Sequence, residues 1–291
     1  MISVSAVITT HNRKDLLCYA IRSVLSQTYK NIECIVVDDA STDGTREYCE
    51  SLSEITYIPI EQKDSKGGNY ARNVGVESSH GEYIAFLDDD DEWLPDKIEK
   101  QMNLISSDVE FVYCGRLIEY IDNRGICVVK DYPKYGAKGD MSKKILSRIY
   151  CVTSEILVKR QLLIDVGLFD IDVKFWQEYE LCIRLFQRTK VDFVNECLIK
   201  YRASNLDNNR LTNKYYGWLD AVHFIEKKHY LLYSELSNLS KLKHKLRLFS
   251  ESSSRILKSN DRQLKRKYIL QIILYYLTLF PVKTIRKKIL M

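Results

Sequence analysis

At 291 residues with 45% apolar content, the chain can bury a full core, which excludes disorder as its organising state. Its net charge of +5 is unevenly placed: residues 241–291 hold 14 Lys/Arg against 2 Asp/Glu, so the rest is weakly acidic. An acidic body with a basic tail excludes a nucleic-acid-binding module, whose positive charge would follow the reading surface. Eight cysteines stand without any Cys-x-x-Cys pair, and several lie inside apolar runs. They read as buried, reduced thiols of a cytoplasmic protein, and Met1 leads into a strand pattern without the basic and apolar regions of a signal peptide.

The first expected strand covers residues 4–9, and Thr10-His11-Asn12-Arg13 connects it to a helix bearing Leu16, Leu17, Ala20, Ile21, Val24 and Leu25, with Asn12 placed to cap it. A second strand, 32–37, runs into the polar turn Asp38-Asp39-Ala40-Ser41-Thr42-Asp43-Gly44-Thr45 and another helix. This alternation of strand, polar turn and helix predicts an α/β doubly wound sheet. After a third strand at 55–60, Gly67-Gly68 opens a helix carrying Arg72; paired glycines let a backbone approach a ligand, and the helix start offers N–H groups to an anion.

Residues 83–87 form an unbroken apolar run that drives into Asp88-Asp89-Asp90-Asp91, as expected of a strand buried on both faces whose carboxyl end meets a ligand. Side chains two apart share a face, so Asp88 and Asp90 can point together and hold a hard divalent cation. Four adjacent carboxylates need compensation by a cation or by hydrogen-bond donors. Pro95 predicts a helix from 95 to about 105. Strands at 109–114 and 117–121 follow, then a hairpin turn into 126–129, where the sheet becomes mixed. The polar loop 131–139 reads as a surface loop, with a place over a substrate site as the alternative, and no chemistry is assigned to it. Residues 153–158 read as a strand, and 175–186 as an aromatic approach to an amphipathic helix with Glu178 in its first turn.

From about residue 206 the pattern becomes helical, and His223 and His229 read as structural. The tail carries an apolar run, 268–282, between Lys265-Arg266-Lys267 and Lys283, Arg286, Lys287 and Lys288. That run is shorter than the roughly 20 residues of a bilayer-spanning helix and suits an anchor lying in an anionic membrane surface. The alternative is packing against the body or in an oligomer interface.

Together, Thr9 to Arg13, Val37 to Thr45, Gly68 to Gly75, Leu87 to Trp93 and Trp176-Gln177-Glu178-Tyr179-Glu180-Leu181 resemble the glycosyltransferase family 2 pattern in order and spacing. The resemblance covers about residues 1–205 and implies a GT-A fold, a Rossmann-like, mostly parallel mixed sheet flanked by helices, with a helical extension over 206–291. It implies an inverting transfer of a sugar from a nucleotide donor, usually a UDP-sugar, to an acceptor hydroxyl with Mn²⁺ or Mg²⁺. The family's nucleotide site maps onto Thr9 and Asn12, onto Asp39 toward the base, Arg72 toward the base or phosphates, and Asp88 toward the ribose or metal. Asp90 matches the metal-binding second Asp of its Asp-x-Asp motif. The run of four leaves the register open by one residue, so Asp89 can take either role. The family's catalytic base maps to Glu178, with Glu180 and Asp170 as the neighbouring carboxylates; the pair here is Gln177-Glu178 where the family has Glu-Asp or similar. The implied setting is capsule or O-antigen synthesis on a lipid-linked acceptor at the inner face of the cell membrane. A sugar-1-phosphate nucleotidyltransferase would need a Gly-rich triphosphate loop, which the opening residues lack. A non-catalytic binding subunit could lose its acids, which this chain keeps.

Overall fold

The computed structural model describes residues 2–122, 125–134, 136–204, 215–258, 262–266 and 268–270. Strands β1 (Val4–Thr10), β2 (Ile32–Asp39), β3 (Thr56–Ile60) and β4 (Tyr83–Asp88) lie parallel in the order β3-β2-β1-β4. Helices α1 (Lys14–Leu25), α2 (Thr45–Glu50) and α3 (Gly68–Glu77) fill the connections. Their apolar runs obey the two-residue strand period, and successive side chains feed opposite layers. On β1 and β4, Ala6, Ile8, Ala85 and Leu87 pack with Leu17, Ile21 and Val24 of α1, whereas Val7, Ile84 and Phe86 enter the core of the other face.

Beyond β4 the sheet is mixed. Strand β8 (Leu157–Lys159) pairs antiparallel with β4 and with β6 (Val109–Asp122), while β9 (Lys190–Ser204) runs parallel to β6. Strand β5 (Glu92–Trp93) joins the far side of β9, and β7 (Gly125–Asp131) forms a hairpin on β6. Helices α4 (Lys97–Met102), α5 (Arg160–Asp165) and α6 (Gln177–Leu185) precede α7 (Tyr215–Lys228), α8 (Tyr230–Ser234) and α9 (Asn238–Lys258). Ile225 and Leu236 belong to the same buried cluster as Phe86 and Leu181, and Trp218 stands edge-on to Trp176 at 5.5 Å. The carboxy-terminal helices therefore close one side of the main core.

Several expectations are corrected. Asn12 does not cap α1; its backbone is left-handed (φ 54°), and the Lys14 N–H at the helix start donates instead to Asp43 from the next loop at 2.9 Å. The helix after Pro95 is confined to Lys97–Met102, since Asp96 has a non-helical backbone (φ −103°, ψ 11°). Residues 153–155 form a 3₁₀ turn, and only Leu157–Lys159 are strand. The two strands expected at 109–121 are one, with its breaks in register around Gly115. Cys127 is exposed on the hairpin, unlike the buried thiols of Cys34, Cys49, Cys114, Cys151 and Cys182. The turn residues 123–124 and most of the apolar tail run, from 271 onward, lie outside the described residues.

Gly75 fixes how closely α3 approaches the sheet: a Cβ there would stand 2.3 Å from Val7 Cγ1, so only glycine lets the helix lie on β1 and β2. This contact sets the position of Arg72 one turn earlier.

Candidate active site

Register brings the site together. Thr9 lies opposite Asp88 across β1 and β4, and Thr10 opposite Asp38 across β1 and β2, so three carboxyl strand ends form one rim. At such a rim the parallel strands stop and their loops diverge, leaving a crevice for a ligand.

The four acids after Leu87 divide into pairs with different surroundings. Asp88 and Asp90 are half-buried, whereas Asp89 and Asp91 are 5% and 1% exposed. Asp91 accepts from Ser154 Oγ at 2.5 Å and from the Arg202 backbone N–H at 3.3 Å. Burial and its acidic neighbours raise its pKa well above the ordinary value, so it serves as a buried anchor between the acidic loop and β9. Asp89 meets Arg13 Nη1 at 3.1 Å, and the same nitrogen reaches Asp90 at 3.2 Å. Burial pushes the Asp89 pKa up to about 6, with Arg13 opposing and Asp90 and Asp88 adding. Asp88 holds Arg72 Nη2 at 2.6 Å. Compensation for the crowded charges thus includes Arg13, Arg72, the Ser154 hydroxyl and the Arg202 backbone N–H. Asp88 and Asp90 keep the accessible positions.

A similar division holds at the end of β2. Asp38 is occupied, accepting from the Ser41 N–H at 2.9 Å and the Tyr57 hydroxyl at 2.8 Å. Asp39 is 7% exposed, and its Oδ1 is buried without a hydrogen-bond partner among the described residues. A carboxylate oxygen in that state is costly unless a ligand donor satisfies it. Nearby, Asn12 Oδ1 accepts from the Thr42 N–H at 2.7 Å and the Asn12 N–H donates to Ser41 Oγ at 2.8 Å, which knits the first two loops of the rim together. His11 Nδ1 lies 2.6 Å from the Asp39 carbonyl and fixes the same junction.

On the other side of Asp88, α3 carries the residues that set α6 in place. Asn69 Nδ2 donates to the carbonyls of Asp170 and Val173, both at 2.8 Å. Asn73 makes a two-way bond with the Phe169 backbone, at 2.8 and 2.9 Å. The loop before α6 is thereby clamped to α3, and Phe169 lies under the Arg72 guanidinium at 5.5 Å. Gly68 leaves room for that guanidinium, since a Cβ there would stand 3.2 Å from Nη1. Asn69 and Asn73 were not singled out in the sequence, although their spacing of four on one helix face next to Arg72 was readable.

Helix α6 presents two glutamates in unlike states. Glu180 is fully buried and accepts from Arg184 Nη2 at 2.7 Å, Lys228 Nζ at 2.8 Å and His229 Nε2 at 2.9 Å. Burial alone would raise its pKa, but these donors outweigh burial and bring it down to about 2. Asp170 is likewise held by Lys228, at 2.6 Å. Neither neighbouring carboxylate is available as a base. Glu178 is reachable from solvent, and no cation lies within 4.0 Å of it among the described residues. Burial raises its pKa above 4.5, against its own backbone N–H and the more distant charge of Arg72. His229 is a structural donor to Glu180, and His223 is exposed on α7.

Glu178, Asp88 and Arg72 line one cleft of about 1250 Å³ that extends past Trp176 to the inner face of α9. Gly136, from the polar loop, also lines it. Thr9, Asn12 and Asp39 are not among the residues facing this cleft. The strand-end rim and the cleft therefore meet at Arg72 and Asp88, with the rim on one side and Glu178 on the other.

The chain is similar to proteins already known. An uncharacterised glycosyltransferase of Rickettsia prowazekii is 35% identical over 205 residues, covering 68% of this chain and 63% of that protein. The chain thus spans less than two thirds of that relative's length. The Escherichia coli enzyme WfaP, a UDP-Glc:α-D-GlcNAc-diphosphoundecaprenol β-1,3-glucosyltransferase, is 41% identical over 117 residues, covering 40% of this chain and 47% of that one. Among solved structures, Staphylococcus aureus TarS in complex with UDP-GlcNAc superposes with a TM-score of 0.61 at 15% identity, over 83% of this chain and 69% of that one. Its likeness is one of fold and agrees with the expected GT-A architecture. Residues 5–167 match the family described as Glycosyl transferase family 2. Since that match covers more than half of the chain, the chain belongs to glycosyltransferase family 2.

Proposed function

We propose that the protein transfers a sugar from a UDP-sugar to a hydroxyl of a lipid-linked glycan with inversion at the anomeric carbon. The observation that carries this reading is the placement of Glu178, reachable and with no cation within 4.0 Å among the described residues, in the same cleft as Asp88 and Arg72. The donor nucleotide lies along the rim, with Asp39 Oδ1 accepting an N–H of the base, Thr9 and Asn12 shaping the loop beneath it, and Arg72 toward the phosphates. Glu178 takes the proton of the acceptor hydroxyl as its oxygen attacks the anomeric carbon from the face opposite the diphosphate. One carbon–oxygen bond forms, the bond to the diphosphate breaks, and nucleoside diphosphate leaves with the electron pair. A single carboxylate suffices, in contrast to a double displacement. Its raised pKa makes Glu178 a stronger base than an exposed glutamate.

Asp88 and Asp90 are hard oxygen donors two residues apart, which suits Mg²⁺ or Mn²⁺ held by one or two carboxylates and completed by substrate phosphates. The described residues hold no cluster of three or more His, Cys, Asp or Glu able to bind a metal alone, which fits such sharing with the substrate. A bound cation would stabilise charge developing on the leaving diphosphate. A mannosyltransferase of the same fold from Pyrobaculum calidifontis, with TM-score 0.53, is in complex with GDP-Man and Mn²⁺. WfaP's acceptor supports a polyprenyl-diphosphate-linked saccharide as the acceptor class here. The test is calorimetric titration of UDP-, GDP- and dTDP-sugars with and without Mn²⁺. Metal-dependent binding of a UDP-sugar is the expected result, and binding of none of them would reject the reading.

We further propose attachment at the inner membrane surface. No helix among the described residues is long and apolar enough to cross a membrane. Helix α9, however, exposes Leu239, Leu242, Leu246 and Phe249 along one stripe, with Lys245 beside it, as an interfacial helix would. Flotation with anionic vesicles tests this: the full chain should float at low salt, and a chain lacking residues 262–291 should float less. Absence of flotation by either would reject it.

A further inference from the structure

The far wall of the cleft is strongly basic in a way that proton abstraction and donor binding leave unexplained. Lys143 and Arg148 bracket the 145–147 turn, α9 packs on that turn, and Lys243 and Arg247 lie four residues apart on the same α9 face. Among the described residues none of these four has a carboxylate within 4.0 Å. Glu251, one turn beyond Arg247, bridges to Arg255 at 3.5 Å instead. The Arg247 guanidinium is held in place, 5.1 Å from the Trp176 ring centre and 5.5 Å from that of Tyr179. Burial, with Arg148 adding to it and Tyr179, Glu251 and Tyr233 opposing, lowers the Arg247 pKa below its ordinary value. A partly buried guanidinium on an aromatic shelf, with further cations beside it, matches the geometry and charge of a phosphate group.

We propose that Arg148, Lys243 and Arg247 form a subsite for a diphosphate carried by the acceptor, separate from the site of the donor's diphosphate. The inference rests on the glycosyl-transfer reading above and adds where the acceptor is held. Position decides between the two diphosphates. Arg247 packs on Trp176 and Tyr179, which flank Glu178 on α6, while the rim residues Thr9, Asn12 and Asp39 do not face this cleft. In an inverting displacement the acceptor lies on the side of the base, away from the donor's leaving group. An anion held beyond Glu178 therefore belongs to the acceptor.

The experiment is calorimetric titration of inorganic pyrophosphate into the full chain with UDP and Mg²⁺ saturating. Pyrophosphate should bind with UDP in place, and more weakly as KCl is raised. Arg247→Gln and Lys243→Gln should each weaken it roughly 10-fold or more, the scale of one lost charge-assisted hydrogen bond, with UDP affinity unchanged. Lys243 is exposed, so its variant carries the test if Arg247→Gln disturbs α9. Pyrophosphate that displaces UDP one for one, or equal affinity in parent and both variants, would overturn the acceptor subsite. Failure of UDP itself to bind would overturn the donor reading on which it rests.

Discussion

Replacing Glu180 by Gln separates the structural glutamate of α6 from Glu178, the proposed base two residues earlier. The substitution keeps the volume and one carbonyl acceptor but removes a charge that Arg184, Lys228 and His229 share inside the core. Linkage gives the magnitude. A shift from 4.5 to about 2 amounts to about 3 kcal/mol of stability above pH 4.5, at roughly 1.4 kcal/mol per pH unit. Breaking a buried pair by removing one partner gives an independent figure of roughly 3–5 kcal/mol. Lys228 keeps Asp170 and Arg184 keeps the Val166 carbonyl, so the lower value is expected. Urea unfolding of parent and variant at pH 7 should show a midpoint lower by about 1 M, taking a denaturant slope of roughly 3 kcal/mol per M. The sign with pH follows from the depressed pKa. The native carboxylate's contribution is complete above 4.5 and is lost as pH falls toward 2, so the two curves should converge in acid. A midpoint difference below about 0.3 M at pH 7, or one that persists unchanged at pH 2.5, would refute the assigned charge network.

Glu178→Gln should reduce transfer roughly 10²- to 10⁴-fold while leaving donor affinity and the urea midpoint at parental values; a parental rate would place the base elsewhere. The acid limb of turnover should lie above an ordinary glutamate's 4.5, because burial raises the Glu178 pKa, and a rate profile against pH reads it directly. Asp90→Ala should fold normally, since it removes one of several crowded acids, but lose the Mn²⁺-dependent part of UDP affinity in calorimetry. Equal metal-dependent affinity would shift that role to Asp88. Gly75→Ala should lower stability by roughly 1–3 kcal/mol through overpacking, since its Cβ would meet Val7 at 2.3 Å; an unchanged thermal midpoint would mean that α3 does not sit as tightly on the sheet.

The sequence by itself determined the parts of the site that depend on local pattern. An apolar run ending in acids is a buried strand with its carboxyl end exposed, because period two and burial on both faces admit few other structures. The alternation of strands and helices gave the sheet's parallel half, an amphipathic pattern gave the helix start at Glu178, and the family resemblance added Thr9 and Asp39 to the rim at Asp88. Tertiary structure decided which acid of the β2 pair and of the α6 pair is already engaged by the protein. Asp38 and Asp39 are adjacent and chemically alike, and only the position of Tyr57 and Ser41 shows that the first is occupied. Glu178 and Glu180 differ in the same way, since Lys228 and His229 arrive from a helix some fifty residues later to neutralise the second. Strand β9 escaped notice because its long stretch mixes charged and apolar residues without clean alternation, yet it supplies the N–H that anchors Asp91. The basic tail shows the limit most plainly. Charge counted along the chain treats the tail as one basic segment, whereas Lys243 and Arg247 face the cleft and Leu242 and Leu246 face outward. Composition adds up charge regardless of direction, and a helix assigns it to faces only once it has packed.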